Sequence, residues 1–284
     1  MKVLGGVFLA KAFQKTDCMG PWSRVVAALD ALEAALGPLL VATGLCLSAF
    51  MLYAFLYAML PPLYALHGAC IAFGHGALGL FLFAQMLWNH VSCIRSSPGE
   101  MSLMPTIYED ATLCDYCNAP QPPRCTHCHA CEACILELDH HCVWMNNCIG
   151  YYNYRYFWLY LLYGWLNCAH VAYLADAAMA QRSPDLSFSD QVLLRFPYVI
   201  CVGLSLALFT LWVVHVYLLL AGQTTLDLLR SEPLRKTLSV TAMRRNVERV
   251  FGSPWWRAMV LPTLAPRPEK RHRKLSSVHH LVAV

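Results

Sequence analysis

From Pro38 to Leu60 the chain runs 23 residues without a formal charge, and three similar runs follow. They extend from about Tyr64 to Trp88, from about Tyr156 to Ala175, and from Pro197 to Ala221. A helix needs roughly 20 apolar residues to cross a bilayer, and core helices of soluble domains seldom reach that length uncharged. The composition agrees: 58% of residues are hydrophobic and 13% charged, against about 25% charged in soluble domains. One compact soluble core is thereby excluded, and the expected architecture is an all-α, multi-pass membrane protein with four transmembrane helices. Pro38 suits a first helical turn, and Pro61-Pro62 marks the turn between the first two spans. The amino-terminal "MKVLGGVFLAKAF" is interrupted by Lys11 and too short to span; no small-residue cleavage pattern follows it, which disfavours a signal peptide.

Lysine and arginine set the orientation, because basic residues concentrate on the cytosolic side. The loop between the first two spans has none, whereas Lys2, Lys11, Lys15 and Arg24 precede the first span. The tail after the fourth span holds 12 of the 21 basic residues. Both termini are therefore expected in the cytosol, and with them the loop between spans two and three. Arg182 and Arg195, after the third span, weigh mildly against this.

That loop carries the chemistry. Eight of the 14 cysteines lie between Cys114 and Cys148. Cytosolic thiols stay reduced, so such a cluster reads as metal ligands or nucleophiles rather than disulfides. Cys46, Cys70, Cys168 and Cys201 fall inside the spans and read as small buried hydrophobes. In the loop, Cys114-x2-Cys117 is followed by the ladder Cys125, Cys128, Cys131, Cys134, in which neighbouring rungs are all Cys-x2-Cys pairs. Two intervening residues let both thiolates reach one ion from a tight turn, the zinc-knuckle geometry. With His127, His129, His140 and His141 the loop offers twelve donors. Two closed tetrahedral sites take eight, so four are spare, and spacing alone permits several pairings. Cys142 directly follows Asp139-His140-His141. An imidazole can take a thiol proton while a carboxylate fixes its tautomer, so Cys142 reads equally as nucleophile or as ligand.

The order Cys114-x2-Cys117, Arg124, His127-Cys128-x2-Cys131-x2-Cys134, Asp139-His140-His141-Cys142, Trp144, Asn147-Cys148-Ile149-Gly150 and Asn153 closely resembles the cysteine-rich domain of the Asp-His-His-Cys (DHHC) protein S-acyltransferases, or palmitoyltransferases. The resemblance is continuous from Cys114 to Phe157, and a four-span layout with this loop between spans two and three is similar to that family. It implies one zinc on Cys114, Cys117, His127 and Cys134, and a second on Cys128, Cys131, His141 and Cys148. It leaves Cys125, His129, His140 and Cys142 over, with His140 and Cys142 as the catalytic pair and Asp139 orienting His140. Trp144 resembles the family's tryptophan that contacts the acyl chain near the thioester. Thr224-Thr225-Leu226-Asp227 resembles the family's Thr-Thr-x-Glu motif, whose second threonine, here Thr225, supports the aspartate. Asn246 to Gly252 resembles a carboxy-terminal element in which an asparagine caps structure against the spans. Asp227 stands where the family has glutamate, Val143 where it has proline, Ser97 where it has aspartate, and Cys125 where serine is common.

The resemblance further implies a membrane-embedded protein-cysteine S-palmitoyltransferase. Two structural zinc ions and acyl-CoA, with palmitoyl-CoA as co-substrate, would serve it. Its partners would be the bilayer and cytosolic cysteines of membrane-associated proteins. The expected organisation is a cytosolic segment at 1–37, two transmembrane helices at 38–91, the zinc-binding domain at 92–155, two more helices at 156–221 and a cytosolic region at 222–284. The expected location is the endomembrane system, at the ER or Golgi. A catalytically silent zinc scaffold and a zinc or redox sensor are the rival readings. Nucleic-acid binding is disfavoured, since Arg124 is the only lysine or arginine between Gly99 and Gly150 and phosphate backbones require basic patches. The basic stretch from Arg267 to Lys274 suits anionic lipid or the CoA phosphates, or a solvated tail, and the terminal "LVAV" suits a PDZ groove.

Overall fold

A computed structural model describes residues 22–101, 111–181, 187–230 and 239–261. Lys2, Lys11, Lys15, Arg182, the basic stretch from Arg267 to Lys274 and the terminal "LVAV" lie outside the described residues. Among the described residues the first helix, α1 (Trp22–Ala54), carries Pro38 in its interior rather than at its start. A π-helical turn at Phe55–Met59 joins it to α2 (Leu60–Arg95). The prolines at 61 and 62 have no N–H to return to the preceding turn, and Leu60 N–H reaches back five residues to Phe55 O instead. Widening one turn thus carries the helix past Pro61-Pro62 without reversing it.

The reversal comes at Gly68, whose φ of 79° and ψ of 179° break α2. This corrects the expected turn at Pro61-Pro62. Only glycine enters that region cheaply. Beyond Gly68 the chain runs back along itself: Leu60 meets Gly76, the Phe55 ring sits on Gly79, and His90 lies beside Gly44. The proline-rich turn is therefore helical, and the hairpin closes two helical turns later.

The remaining α-helices among the described residues are α3 (Tyr154–Met179), a short α4 (Phe188–Asp190), α5 (Phe196–Ala221), α6 (Thr225–Leu229), α7 (Val240–Phe251) and α8 (Trp256–Val260). A second π turn, Gln191–Arg195, precedes Pro197, again with a five-residue bond from Phe196 N–H to Gln191 O. Helix α3 packs between α2 and α5, and α7 lies against α5. Two described segments are long and apolar enough to cross a membrane, Ala35–Arg95 and Phe188–Ala221.

Between α2 and α3 the described part of the chain from residue 111 onward is built of strands and turns, which corrects the all-α expectation. It forms three antiparallel hairpins: β1 (Thr112–Leu113) with β2 (Pro120–Gln121), β3 (Cys125–Cys128) with β4 (Ala133–Leu136), and β5 (His140–Cys142) with β6 (Asn147–Ile149). Each loop holds one residue with positive φ, Asn118, Glu132 and Asn146 in turn, as tight hairpin loops require.

The contact between Phe55 and Gly79 is directly testable. A Cβ at Gly79 would overlap the Phe55 ring, whereas nothing lies within 4 Å of one at Gly74. Gly79→Val is expected to destabilise the purified protein by about 1–3 kcal/mol, the usual cost of overpacking. Gly74→Val is expected to leave its thermal midpoint in detergent nearly unchanged.

Candidate active site and metal centres

Four ligand atoms from Cys114, Cys117, His127 and Cys134 lie within 4.8 Å of one another, and so do four from Cys128, Cys131, His141 and Cys148. His127 Nδ1 is 3.8, 3.2 and 3.8 Å from the sulfurs of Cys114, Cys117 and Cys134. His141 Nδ1 is 3.8, 3.3 and 3.6 Å from those of Cys128, Cys131 and Cys148. Ligands of a tetrahedral zinc lie roughly 3.5–3.8 Å apart, given the usual metal–ligand bonds. Both donor sets therefore fit zinc, and they are the two quartets the family resemblance implies.

The two sets are also copies. Each ligand of the second follows its counterpart in the first by 14 residues. Each site takes a Cys-x2-Cys knuckle from one hairpin and a cross-strand His–Cys pair from the next. His127 faces Cys134 across β3–β4, and His141 faces Cys148 across β5–β6. One further step of 14 carries Cys128 onto Cys142 and Cys131 onto Met145. Cys142 thus occupies the first position of a third knuckle whose second cysteine is a methionine.

The local geometry agrees. Amides of Tyr116 and Cys117 approach the sulfur of Cys114, and amides of Trp144 and Met145 approach that of Cys142 in the same way.

Strand alternation divides the two adjacent histidines. Successive side chains of a strand point to opposite faces, so His141 turns toward the metal ligands while His140 and Cys142 share the other face. There His140 Nδ1 is 2.8 Å from Asp139 Oδ2, and the imidazole also hydrogen-bonds the Cys142 thiol. With Nδ1 committed to the carboxylate, Nε2 is left for the sulfur. Asp139 is 1% exposed and Cys142 8%. Thr225 binds the carboxylate twice, its N–H donating to Oδ1 at 2.7 Å and its hydroxyl to Oδ2 at 2.8 Å.

The electrostatics of this line are cooperative. Burial opposes ionisation of Asp139, but the hydrogen bond and positive charge of His140 outweigh it and hold the carboxyl below its usual range. Burial likewise opposes the imidazolium, yet the bonds to Asp139 and Cys142 raise His140 to about 10. Burial would also raise Cys142, but His140 and the two turn amides lower it. The arrangement favours a thiolate–imidazolium pair, the activated form of a nucleophilic cysteine.

Trp144 is half exposed, and its side chain extends from the turn beyond Cys142. Cys125 lies on the same strand face as His127 and hydrogen-bonds Cys134; burial pushes its thiol up to about 11. It is thus an additional thiol beside the first metal set. His129 stands outside both sets, in edge contact with Tyr116 and His127.

Several anchors hold the hairpins against the helices. Asp227 accepts from Arg124 at 2.9 Å and closes a capping box with Thr224 on α6, so the shorter acid still makes its contacts. Arg249 of α7 donates to Glu137 at 2.8 and 3.0 Å. The Asn147 side chain donates to Cys93 O, Ile94 O and Ser96 O at the end of α2. Asn246 donates to Leu220 O at 2.8 Å, which is the capping role its motif implies. Glu137, Arg249, His90 and His215 are partners that sequence reading missed, since no local pattern marks them. His215 of α5 is buried, and Phe157 lies edge-on to both it and His140.

Two Cys3His donor sets that fit zinc stand beside a Cys–His–Asp line that belongs to neither, the arrangement of a thiol with a base and an orienting carboxylate. Residues 107–232 match the family model described as DHHC palmitoyltransferase. The chain is 34% identical over 147 residues to palmitoyltransferase ZDHHC15A of Danio rerio, covering 49% of this chain and 44% of that protein. It is 33% identical over 148 residues to palmitoyltransferase ZDHHC2 of Homo sapiens, covering 49% and 40%. It is 36% identical over 152 residues to palmitoyltransferase erf2 of Emericella nidulans, covering 50% and 25%. The matched segment thus spans less than half the length of each of these relatives.

Two outcomes are expected. The purified protein should carry two zinc ions per chain by elemental analysis, falling to one in both Cys117→Ser and Cys131→Ser. Asp227→Ala, which removes a helix cap and a charge-assisted bond, should lower stability by about 1–3 kcal/mol in thermal unfolding.

Proposed function

We propose that this protein is a protein S-acyltransferase that moves a long-chain fatty acyl group from acyl-CoA to cysteine thiols of membrane-associated proteins. The observation that carries this reading is Cys142, which stands outside both metal quartets and hydrogen-bonds a histidine oriented by a buried aspartate. In the reaction His140 takes the Cys142 proton, and the thiolate attacks the thioester carbonyl of acyl-CoA. The carbon–sulfur bond to CoA breaks, His140 returns the proton to the departing sulfur, and the chain is held as a thioester on Cys142. A substrate cysteine then gives its proton to His140 and attacks that thioester, which restores the Cys142 thiol. Asp139, braced by Thr225, holds the imidazole tautomer throughout. Zinc bound by the two quartets would supply structural cross-links, since three thiolates and an imidazole close each site.

The long apolar helices support a membrane setting. Each CH2 of a fatty chain gains about 0.8 kcal/mol on leaving water, so a chain on Cys142 is stabilised by apolar surroundings. Cys142 belongs to a buried cluster with Cys93, Met145, Tyr156, Phe157 and Leu161, where the hairpins meet α2 and α3. The exposed indole of Trp144 is suited to contact the chain near the thioester. The proposed topology has four crossings: two within Ala35–Arg95, which doubles back at Gly68, one in α3 and one within Phe188–Ala221. The hairpins and both termini then face the cytosol, palmitoyl-CoA is the donor, and the host membrane is the ER or Golgi. The proposed division of the chain is 1–37, 38–91, 92–155, 156–221 and 222–284, in the roles given above.

Incubation of the full chain with a fluorescent fatty acyl-CoA tests the reading. The expected result is a hydroxylamine-labile label on Cys142, absent from Cys142→Ser. His140→Gln is expected to reduce the labelling rate by about 10²–10⁴-fold, the usual contribution of a general base. A folded, zinc-loaded wild type that takes no label would overturn the assignment.

A further inference from the structure

His90 is a buried histidine that the reaction above does not use. It lies near the end of α2, 5% exposed, with its ring 4.9 Å from that of Tyr160 on α3 and its Cε1 beside Gly44 of α1. Its Nε2 is 3.3 Å from Trp144 O. A carbonyl can only accept, so Nε2 carries the proton and donates.

The acceptor is what gives this contact meaning. Trp144 C=O and Met145 N–H belong to one peptide group, and the Met145 amide points back at Cys142, 3.0 Å from its carbonyl oxygen and within reach of its sulfur. A peptide is planar, so holding its oxygen fixes the direction of its N–H. Hydrogen bonds at the two ends of one amide also polarise each other. In the metal-binding hairpins a bound ion would hold the knuckle turn in shape. The third hairpin has methionine at 145, and here the bond from His90 restrains the turn instead, alongside the Asn147 side chain on α2.

We propose that His90 is a positioning residue for the Cys142 nucleophile, acting through the Trp144–Met145 peptide. It orients the amide that faces the sulfur and ties the reactive turn to α2. The inference rests on Cys142 being the reacting group, and its test has one readout that does not depend on acyl transfer.

The experiment compares wild type, His90→Phe and His90→Gln, each as the full chain in detergent with zinc content checked. Phenylalanine keeps a ring against Tyr160 and removes the donor, whereas glutamine restores an N–H. Two quantities are read: the maximal rate and KM of Cys142 labelling by palmitoyl-CoA, and hydrogen exchange of the 143–147 turn by mass spectrometry. His90→Phe is expected to lose about 10-fold or more in maximal rate, the scale of supporting-partner mutations, with KM nearly unchanged and faster exchange in the turn. His90→Gln is expected to recover much of both.

Wild-type rate and exchange in His90→Phe would overturn the proposal. So would failure of His90→Gln to improve on His90→Phe, which would assign the residue to ring packing alone. If wild type takes no acyl label, the enzyme assignment fails, and unchanged turn exchange in His90→Phe would then refute the His90 inference separately.

Discussion

The side chains of a β-strand face alternate sides, and the division of labour in this centre depends on that period of two. Across β5, His141 turns to the metal ligands while His140 and Cys142 turn together to Asp139 and the helices. A helix would have spread these three side chains about 100° apart and separated His140 from Cys142. Pairing with β6 places Cys148 opposite His141, so closing the second donor set also holds the Cys–His–Asp line in register. The metal donor set and the Cys–His–Asp line are thus two faces of one short hairpin.

The interleaved repeat explains why a thiol is free in so cysteine-rich a segment. Each site borrows its knuckle from the preceding hairpin, so a series of such sites must end in a knuckle with no following hairpin to complete it. Cys142 is that end. It keeps the amides that a knuckle directs at sulfur, and a histidine and a carboxylate stand where metal would otherwise balance the charge. The same local conformation that favours a metal-bound thiolate favours a reactive one.

Short hairpins with little core of their own need outside support, and the helices supply it at the Cys–His–Asp line. Thr225, at the start of α6, binds both oxygens of Asp139. Arg124 and Asp227 join the second hairpin to the same short helix, and Asn147 and His90 tie the third to α2. Most of these contacts bridge residues at least 50 positions apart in the chain. The centre is therefore assembled by the fold of the bundle as much as by the metal-binding segment.

The sequence by itself determined the apolar runs and the cysteine knuckles, because length, charge and spacing are local properties; the two quartets came only from the family resemblance. The 14-residue interval lay in the sequence too, but its meaning needed the hairpin register that pairs His127 with Cys134 and His141 with Cys148. Pro61-Pro62 does not reverse the chain, because a proline pair breaks a helix only when no π turn absorbs it; Gly68 reverses it through a backbone angle that its identity permits but does not require. Tertiary structure alone decided that Asp227 reaches Arg124 despite its shorter side chain, and that His90 meets the Trp144 carbonyl. Those contacts join distant segments, and their geometry is set by how the helices pack, which no local spacing encodes.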